Sequence, residues 1–212
     1  MLNFIYKFLR DFNKSMNMAK LKKITDYNFY ILEKIILHFN RFIPFYFKFY
    51  EEMVNEEIKM ADISSNDKIL HIGCGPIPAT SIIIAEKTSA QIKAIDIDYN
   101  SVQKAKKVIK QYIKSKNIDI KNADGANFPI SDFDIILVSD GVNKLYKILY
   151  SIGVSSNKNV KVIFRKTILD NKNYNLERDD LPKFFKIKEI KTHKSYGNLS
   201  SILLLKINPE DN

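Results

Sequence analysis

Two glycines and a later aspartate have the spacing of a site for a nucleoside-containing ligand. Gly73 and Gly75 follow a short apolar run, Lys68–Ile72, and Asp96 lies 23 positions after Gly73. Glycines lack the Cβ atoms that would hold a ligand away from the backbone. A carboxylate roughly 20 residues after such a turn commonly meets a ribose hydroxyl. The spacing therefore predicts a nucleotide-type site.

The glycine pattern differs from the dinucleotide-binding fingerprint at one position. Pro78 stands where that fingerprint, G-x-G-x-x-G, has its third glycine. A pyrophosphate needs the close approach to the helix that this glycine allows, whereas a ligand without phosphates does not. The pattern therefore favours S-adenosylmethionine (SAM) over NAD or FAD.

Alternating strands and helices must hold this turn in place. Lys68–Ile72 and Gln91–Asp96 are predicted as buried parallel strands, with Thr80–Lys87 as the helix between them. The pattern continues along the chain, and its last two strands are predicted to form an antiparallel pair. The sequence therefore predicts an α/β, Rossmann-like fold with a mostly parallel seven-stranded sheet. The other five strands are predicted at Ile118–Ile120, Phe133–Val138, Asn159–Phe164, Phe184–Lys191 and Ser200–Ile207.

The chain before the first strand is predicted to be helical. We divide the protein into an N-terminal extension, residues 1–61, and a ligand-binding domain, residues 62–212. Met1–Ile24 has the pattern of a basic amphipathic helix, which we expect to pack on its own domain; membrane-surface contact and partner docking are the alternatives. A second helix is predicted from Asp26, and a third, with an aromatic face, covers about Phe45 to Ala61.

These residues resemble two related groups of proteins. Gly73-Cys74-Gly75, Asp96 and Asp124 are similar to the SAM-binding motifs of class I SAM-dependent methyltransferases. More narrowly, HIGCGPIPATSI resembles the glycine-proline loop of nicotianamine synthases, which transfer an aminocarboxypropyl group from SAM. The resemblance implies the class I methyltransferase fold and an Asp124 that binds the adenine amino group. The predicted SAM-binding residues are Gly73, Cys74, Gly75, Pro76, Asp96, Ile97, Asp124, Gly125 and Ser139. Asp124-Gly125 is also a good turn pair.

Candidate substrate and catalytic residues lie at strand ends and on the third helix. Arg165 follows a predicted strand, and its guanidinium could hold a substrate carboxylate bidentately, as the synthase resemblance suggests. Asn198 lies in a second segment that matches the synthases. A protonated amine acceptor must also lose a proton, for which a carboxylate or tyrosine is needed. The candidates are Tyr46, Glu51, Glu52 and Asp140, and Asp140 fits an ordinary helix cap equally well.

The reaction itself has three candidate forms. Relative to the synthases, Phe49 replaces a tyrosine, and the N-terminal part that supplies a catalytic glutamate is shorter. These departures favour a methyltransferase that acts on a small molecule. The glycine-proline loop, Arg165 and Asn198 favour the alternative, a nicotianamine synthase-like aminocarboxypropyl transferase that makes a metal-chelating, opine-type compound. An RNA methyltransferase is the second alternative.

Composition excludes several other classes. The chain has 212 residues, a net charge of +10 and one cysteine, so a disulfide scaffold and a cysteine-based zinc site are excluded. The three histidines lie too far apart for metal-ligand spacing, and we expect no metal site. Its basic residues are mostly lysines without an arginine cluster, which argues against a nucleic-acid partner. No apolar run approaches the roughly 18 residues of a membrane span, and we expect a cytoplasmic protein.

Overall fold

A seven-stranded sheet organises the protein in its computed structural model, which describes residues 31–112, 117–167, 183–196 and 199–207. The strand order is β3-β2-β1-β4-β5-β7-β6. The first five strands are mutually parallel, and β7 is antiparallel to both of its neighbours. This arrangement confirms the predicted fold class. The strands are β1 (Lys68–Ile72), β2 (Gln91–Asp96), β3 (Ile118–Asn122), β4 (Ile135–Val138), β5 (Lys161–Thr167), β6 (Phe185–His193) and β7 (Leu199–Lys206).

Five α-helices are present in the described part of the chain. The first, α1, covers residues 31–38 and is followed by a 3-10 turn, Asn40–Phe42. Pro44 lies in the first turn of the second helix, where its missing N–H leaves no carbonyl unpaired. The other helices are α2 (Ile43–Ala61), α3 (Ala79–Thr88), α4 (Tyr99–Tyr112) and α5 (Leu145–Ser155). The predictions for Met1–Ile24, Asp26 and Asn198 lie outside the described residues.

The two faces of the sheet are covered by different helices. Ile69, Leu137 and Ile163 pack against α2 and α3, whereas their strand neighbours of opposite parity pack against α5. This alternation follows from the two-residue period of side chains along a strand. The face covered by α2 and α3, here called the α2 face, also carries most of the buried polar side chains, including those of His71, Arg165 and Ser201. The proposed division at residue 61 stays a prediction, although α2 itself contributes to the common core through Met53 and Val54.

Backbone hydrogen bonds continue past the strand ends and join the loops at the carboxyl edge of the sheet. Gly73 and Cys74 both donate their N–H groups to the carbonyl of Ile95 at the end of β2. Ser139, directly after β4, donates to the carbonyl of Ile72, and Ala123 donates to that of Asp96. The loops after four adjacent strands are therefore held side by side, which is where ligands bind in open α/β sheets.

Candidate functional site

The glycine turn has a backbone conformation that favours glycine. Gly73 has a φ of 79° and Gly75 a φ of 66°, in the left-handed region where side chains are strained. A Cβ atom on Gly73 would lie 2.5 Å from Cγ1 of Val142. At Gly75 the nearest atom to such a Cβ is Oε1 of Glu33, at 3.8 Å. Gly73 is thus required by packing, while Gly75 borders open space that Glu33 faces.

Asp96 joins the end of β2 to the glycine turn. Its Oδ2 accepts the N–H of Gly75 at 2.8 Å, and its Oδ1 accepts the N–H of Asp98 at 2.9 Å. Each carboxylate oxygen keeps a further lone pair that can accept a ribose hydroxyl. Ile97 and Tyr99 beside it are 68% and 61% exposed, so they offer apolar surface to an adenine ring. The residues present fit the adenosine part of SAM.

The loop after β3 is shaped as a turn. Oδ1 of Asp124 accepts the N–H of Ala126 at 2.9 Å, and its Oδ2 accepts the side-chain amide of Asn127 at 3.1 Å. A Cβ on Gly125 would lie 2.4 Å from Cγ2 of Ile72, so glycine lets this loop pack on the end of β1. The turn interpretation of Asp124-Gly125 therefore describes the local geometry, and adenine binding by Asp124 stays a prediction.

Cys74 and Pro76 reach the site through their backbones. The Cys74 side chain is buried against Ala94, Val102 and Ala105. Burial raises the pKa of its thiol above the ordinary value, and the Asp96 charge adds to this rise. Pro76 is partly buried ahead of α3. Cys74 is therefore an inert packing residue whose backbone, and not its thiol, can meet a ligand.

Two tyrosines and a glutamate form a cluster above the turn. Tyr46, 3% exposed, donates its hydroxyl hydrogen bond to Oε1 of Glu33 at 3.0 Å, and its oxygen lies 3.4 Å from that of Tyr50. Burial raises the pKa of Glu33 to about 7; the Asp96 charge raises it further, whereas the Tyr46 hydrogen bond and Lys104 oppose the rise. Burial also raises the pKa values of both tyrosines. The cluster therefore contains a carboxylate, that of Glu33, which can take up a proton near neutral pH.

A second buried carboxylate lies deeper on the α2 face. Arg165 donates from Nε and Nη2 to the two oxygens of Glu57, at 2.7 and 2.6 Å, and from Nη2 to Oγ1 of Thr80 at 2.9 Å. Ser201 donates to Oε1 of Glu57 at 2.5 Å. The expectation that Arg165 holds a substrate carboxylate must be corrected. The carboxylate that it holds bidentately is that of Glu57, and the guanidinium is only 5% exposed.

Glu51 and Glu52 are not brought into the site, and this corrects their predicted catalytic role. Glu51 forms an exposed ion pair of 2.8 Å with Lys87, which lies in the last turn of α3. The glycine turn lies before the first turn of that helix. Glu52 is exposed as well. Because a helix turns about 100° per residue, Glu51 and Glu52 do not share the core-facing side of α2 that carries Tyr46.

Asp140 does lie near the cluster. It is partly buried beside Ser139, and its negative charge contributes, after burial and the Glu33 charge, to the raised pKa of Tyr50. Ser139 itself is joined to a buried histidine, with 3.0 Å between its Oγ and Nε2 of His71. Tyr46, Asp140 and Ser139 therefore lie at one edge of the sheet, as predicted, while their roles remain predictions.

Sequence analysis missed Glu33 and Glu57. Glu57 shares the helical face of Tyr46, Tyr50 and Met53 at steps of three and four residues, so a carboxylate on an apolar face was visible in the sequence. Such a charge needs a buried partner. Glu33 lies among the apolar residues of α1 and gave a weaker signal, because acids at the border of an apolar face are common on surface helices.

Neither a metal-binding cluster nor a membrane-spanning helix occurs among the described residues. Within them, no group of three or more histidine, cysteine or acidic residues is arranged to hold a metal ion. None of the helices in these ranges is both long enough and apolar enough to cross a membrane.

The sheet order, the glycine turn and the acidic strand end define the class I SAM-dependent transferase fold. A family model described as nicotianamine synthase protein matches residues 13–164, more than half of the chain. The chain therefore belongs to the nicotianamine synthase family. Membership of this family confirms the predicted SAM-dependent transferase and SAM as its cosubstrate. No curated protein matches the chain.

Solved structures with this fold include members of the same family. A glutamate-to-glutamine mutant of MtNAS in complex with SAM has a TM-score of 0.71 and 17% identity, covering 98% of this chain and 78% of that one. MtNAS in complex with MTA and tNA has a TM-score of 0.70 and 16% identity, covering 98% and 76%. A putative SAM-dependent methyltransferase from Methanococcus maripaludis has a TM-score of 0.65 and 17% identity, covering 82% and 92%. At these identities the likeness establishes the fold.

Proposed function

We propose that the protein transfers the aminocarboxypropyl group of SAM to the amine of a small molecule, as nicotianamine synthases do. This proposal adopts the alternative of the sequence analysis in place of methyl transfer. The observation that carries it is Glu33, a partly buried carboxylate facing the glycine turn. The apparent loss of an N-terminal glutamate was one of the two departures that favoured methyl transfer, and Glu33 can take the place of that glutamate.

The second departure is answered in the same region. Phe49 stands where a tyrosine was expected, but Tyr50 follows directly and brings its hydroxyl oxygen to 3.4 Å from that of Tyr46. Two tyrosine hydroxyls therefore cluster with Glu33, the residue that faces the turn, although their spacing along the chain differs from the motif that we expected. The family match and this cluster support the same reaction.

The chain's own residues have separate tasks in this proposal. Gly73 and Gly75 let the ligand approach the backbone. Asp96 accepts hydrogen bonds from its ribose hydroxyls, and Asp124 accepts one from its adenine amino group. When bound, SAM supplies a positive sulfur whose neighbouring carbons are open to attack by a nucleophile. Glu33 accepts a proton from the ammonium form of the acceptor. A general base works best when its pKa is close to the working pH, and the pKa of about 7 meets that condition.

Tyr46 supports Glu33 without taking the proton itself, while Arg165 acts on the neighbouring Tyr50. The Tyr46 hydroxyl holds Oε1 of Glu33 and opposes the rise of its pKa. Arg165 is fixed by Glu57 on the same α2 face, and its charge acts to lower the pKa of Tyr50. A small acceptor suits this site, because Tyr46 is buried under α1 and a nucleic-acid base would have to displace that helix.

The test is the fate of SAM. The purified protein is incubated with SAM and a fraction of small molecules from a cell extract, and adenosine-containing products are identified by mass spectrometry. We expect 5′-methylthioadenosine together with an acceptor heavier by one aminocarboxypropyl group. S-Adenosylhomocysteine as the accumulating product would instead mean methyl transfer and would overturn the proposal. The matched control is Glu33→Gln, which should form about a hundredfold less product.

A further inference from the structure

His71 joins two serines across the α2 face, directly below the glycine turn. Nδ1 of its ring lies 2.8 Å from Oγ of Ser81, in the first turn of α3, and Nε2 lies 3.0 Å from Oγ of Ser139, after β4. His71 is 3% exposed and Ser81 is fully buried. Burial, assisted by the charge of Arg165, lowers the pKa of His71 to about 3. The ring is therefore neutral, with one nitrogen donating and the other accepting.

Strand order indicates which part of SAM would lie over Ser139. The loops after β3, β2, β1 and β4 lie in that sequence along the carboxyl edge. A ligand with its adenine at Asp124 and its ribose at Asp96 has its amino-acid end over β1 and β4. Ser139 is the first residue after β4, and its Cβ lies 3.4 Å from the place that a Cβ on Gly73 would occupy. Its hydroxyl is therefore beside the glycine turn.

We propose that His71 is a positioning residue that fixes the Ser139 hydroxyl as a hydrogen-bonding group for the amino-acid end of SAM. The inference rests on the proposed function, because it assumes that SAM lies along this edge. A serine hydroxyl has one donor and two acceptor positions, and His71 uses one of them. The others are available to a ligand carboxylate or ammonium group. Because Ser81 holds the other ring nitrogen, the imidazole cannot rotate, and the Ser139 hydroxyl keeps one orientation before the ligand arrives.

The test compares two ligands that differ only at the amino-acid end. S-Adenosylhomocysteine and 5′-methylthioadenosine share adenine, ribose and sulfur, and only the first carries a carboxylate and an amine. Calorimetry with Ser139→Ala should show about tenfold weaker binding of S-adenosylhomocysteine, the loss expected for one hydrogen bond. Binding of 5′-methylthioadenosine should stay within about twofold of wild type, since that ligand does not reach Ser139.

Ser81→Ala is the matched control, because it also removes one hydrogen bond from His71 but on the side away from the site. Ser81→Ala should weaken the binding of S-adenosylhomocysteine less than Ser139→Ala does. His71→Phe should match Ser139→Ala in its selective loss, and the double variant His71→Phe/Ser139→Ala should be no worse than either single variant, because both act through one hydroxyl. Urea unfolding and histidine NMR of the ligand-free proteins identify any variant that has lost its fold.

Several outcomes of these binding measurements would overturn the inference about His71 and Ser139. Equal losses for both ligands would mean that His71 and Ser139 act on the fold in general, and would overturn the inference. Unchanged binding of S-adenosylhomocysteine by Ser139→Ala, which remains informative if His71→Phe does not fold, would also overturn it. A wild-type protein that binds neither ligand would overturn the proposed function first. A wild type that binds both ligands, with no selective loss in Ser139→Ala, would overturn this inference alone.

Discussion

Two carboxylates on the N-terminal helices face the same sheet and have opposite electrostatic surroundings. Glu57 is fully buried and accepts hydrogen bonds from Arg165 and Ser201. Glu33 is partly buried and accepts from the Tyr46 hydroxyl, and no lysine or arginine of the described ranges forms an ion pair with it. The first carboxylate is fully compensated and fixed. The second is left incomplete on the side that faces the glycine turn.

The comparison shows how one chain uses burial in two ways. A buried charge is tolerated when a partner and hydrogen bonds replace its hydration, and otherwise its pKa shifts toward the neutral form. Burial acts to lower the pKa of Arg165, but the Glu57 charge and hydrogen bonds outweigh it and raise that pKa. The Tyr46 hydroxyl and the Lys104 charge offset the burial of Glu33 only in part, and its pKa rises to about 7. Glu57 is therefore held as a compensated structural charge, while Glu33 is suited to proton transfer.

The largest expected effect comes from breaking the compensated pair. Arg165→Met should lower the free energy of unfolding by about 3–5 kcal/mol, because it leaves the Glu57 charge buried without a cation. Urea denaturation measures this loss. The double variant Glu57→Met/Arg165→Met should recover most of it, since it removes both charges and keeps apolar volume. A loss below about 1 kcal/mol for Arg165→Met would mean that Glu57 is compensated by other groups.

Removing the Glu33 carboxylate should have the opposite effect to breaking the Glu57–Arg165 pair, with a large loss of activity and no loss of stability. Glu33→Gln should reduce turnover about a hundredfold or more, because it removes the proton acceptor, while the free energy of unfolding at pH 8 stays the same or rises. Initial rates at saturating SAM measure the loss. Glu51→Gln is the control carboxylate on the next helix, exposed and paired with Lys87, and its turnover should equal wild type. Full activity in Glu33→Gln would exclude Glu33 as the proton acceptor.

Glu33 should also make stability depend on pH. Its pKa is about 7 in the folded protein, against an ordinary value of 4.5 for glutamate in an unfolded chain, so between these pH values the folded state binds more protons than the unfolded state. The free energy of unfolding therefore falls as pH rises from about 4.5 to 7, by at most about 3 kcal/mol. The difference between wild type and Glu33→Gln isolates this slope from other carboxylates. Parallel curves for the two proteins would contradict the raised pKa.

The smallest effect is expected from the hydroxyl that supports Glu33. Tyr46→Phe removes a hydrogen bond that lowers the pKa of Glu33, so the midpoint of the pH–rate profile should move to higher pH. The free energy of unfolding should fall by about 1 kcal/mol, the usual value of one hydrogen bond. Tyr50→Phe is the comparison, because the Tyr50 hydroxyl oxygen lies 3.4 Å from that of Tyr46, whereas the Tyr46 hydroxyl contacts Glu33 directly at 3.0 Å. A midpoint that moves to lower pH would contradict the assignment.

The sheet, its order of local elements and the glycine turn could be predicted from sequence, because each depends on patterns within about 20 residues. The carboxylate that Arg165 binds could not be predicted. A strand-end arginine indicates a carboxylate partner, but the sequence does not say whether that carboxylate belongs to a substrate or to Glu57. Glu33 was missed for a related reason. Its pKa depends on how α1 covers the glycine turn, and amphipathic periodicity predicts a helix without predicting what its border residues face.

The Glu57 network also has a consequence for the order of folding. Glu57 meets Arg165 across 108 positions of sequence and Ser201 across 144. Contacts with such separations form late, because long loops must close first. During synthesis α2 emerges long before β7. Until β7 has been made, the Glu57 carboxylate on α2 lacks the hydrogen bond from the Ser201 hydroxyl. We therefore expect stable docking of α2 to wait for the last strand, so that the helix bearing Tyr46 reaches its place over the site only when the sheet is complete.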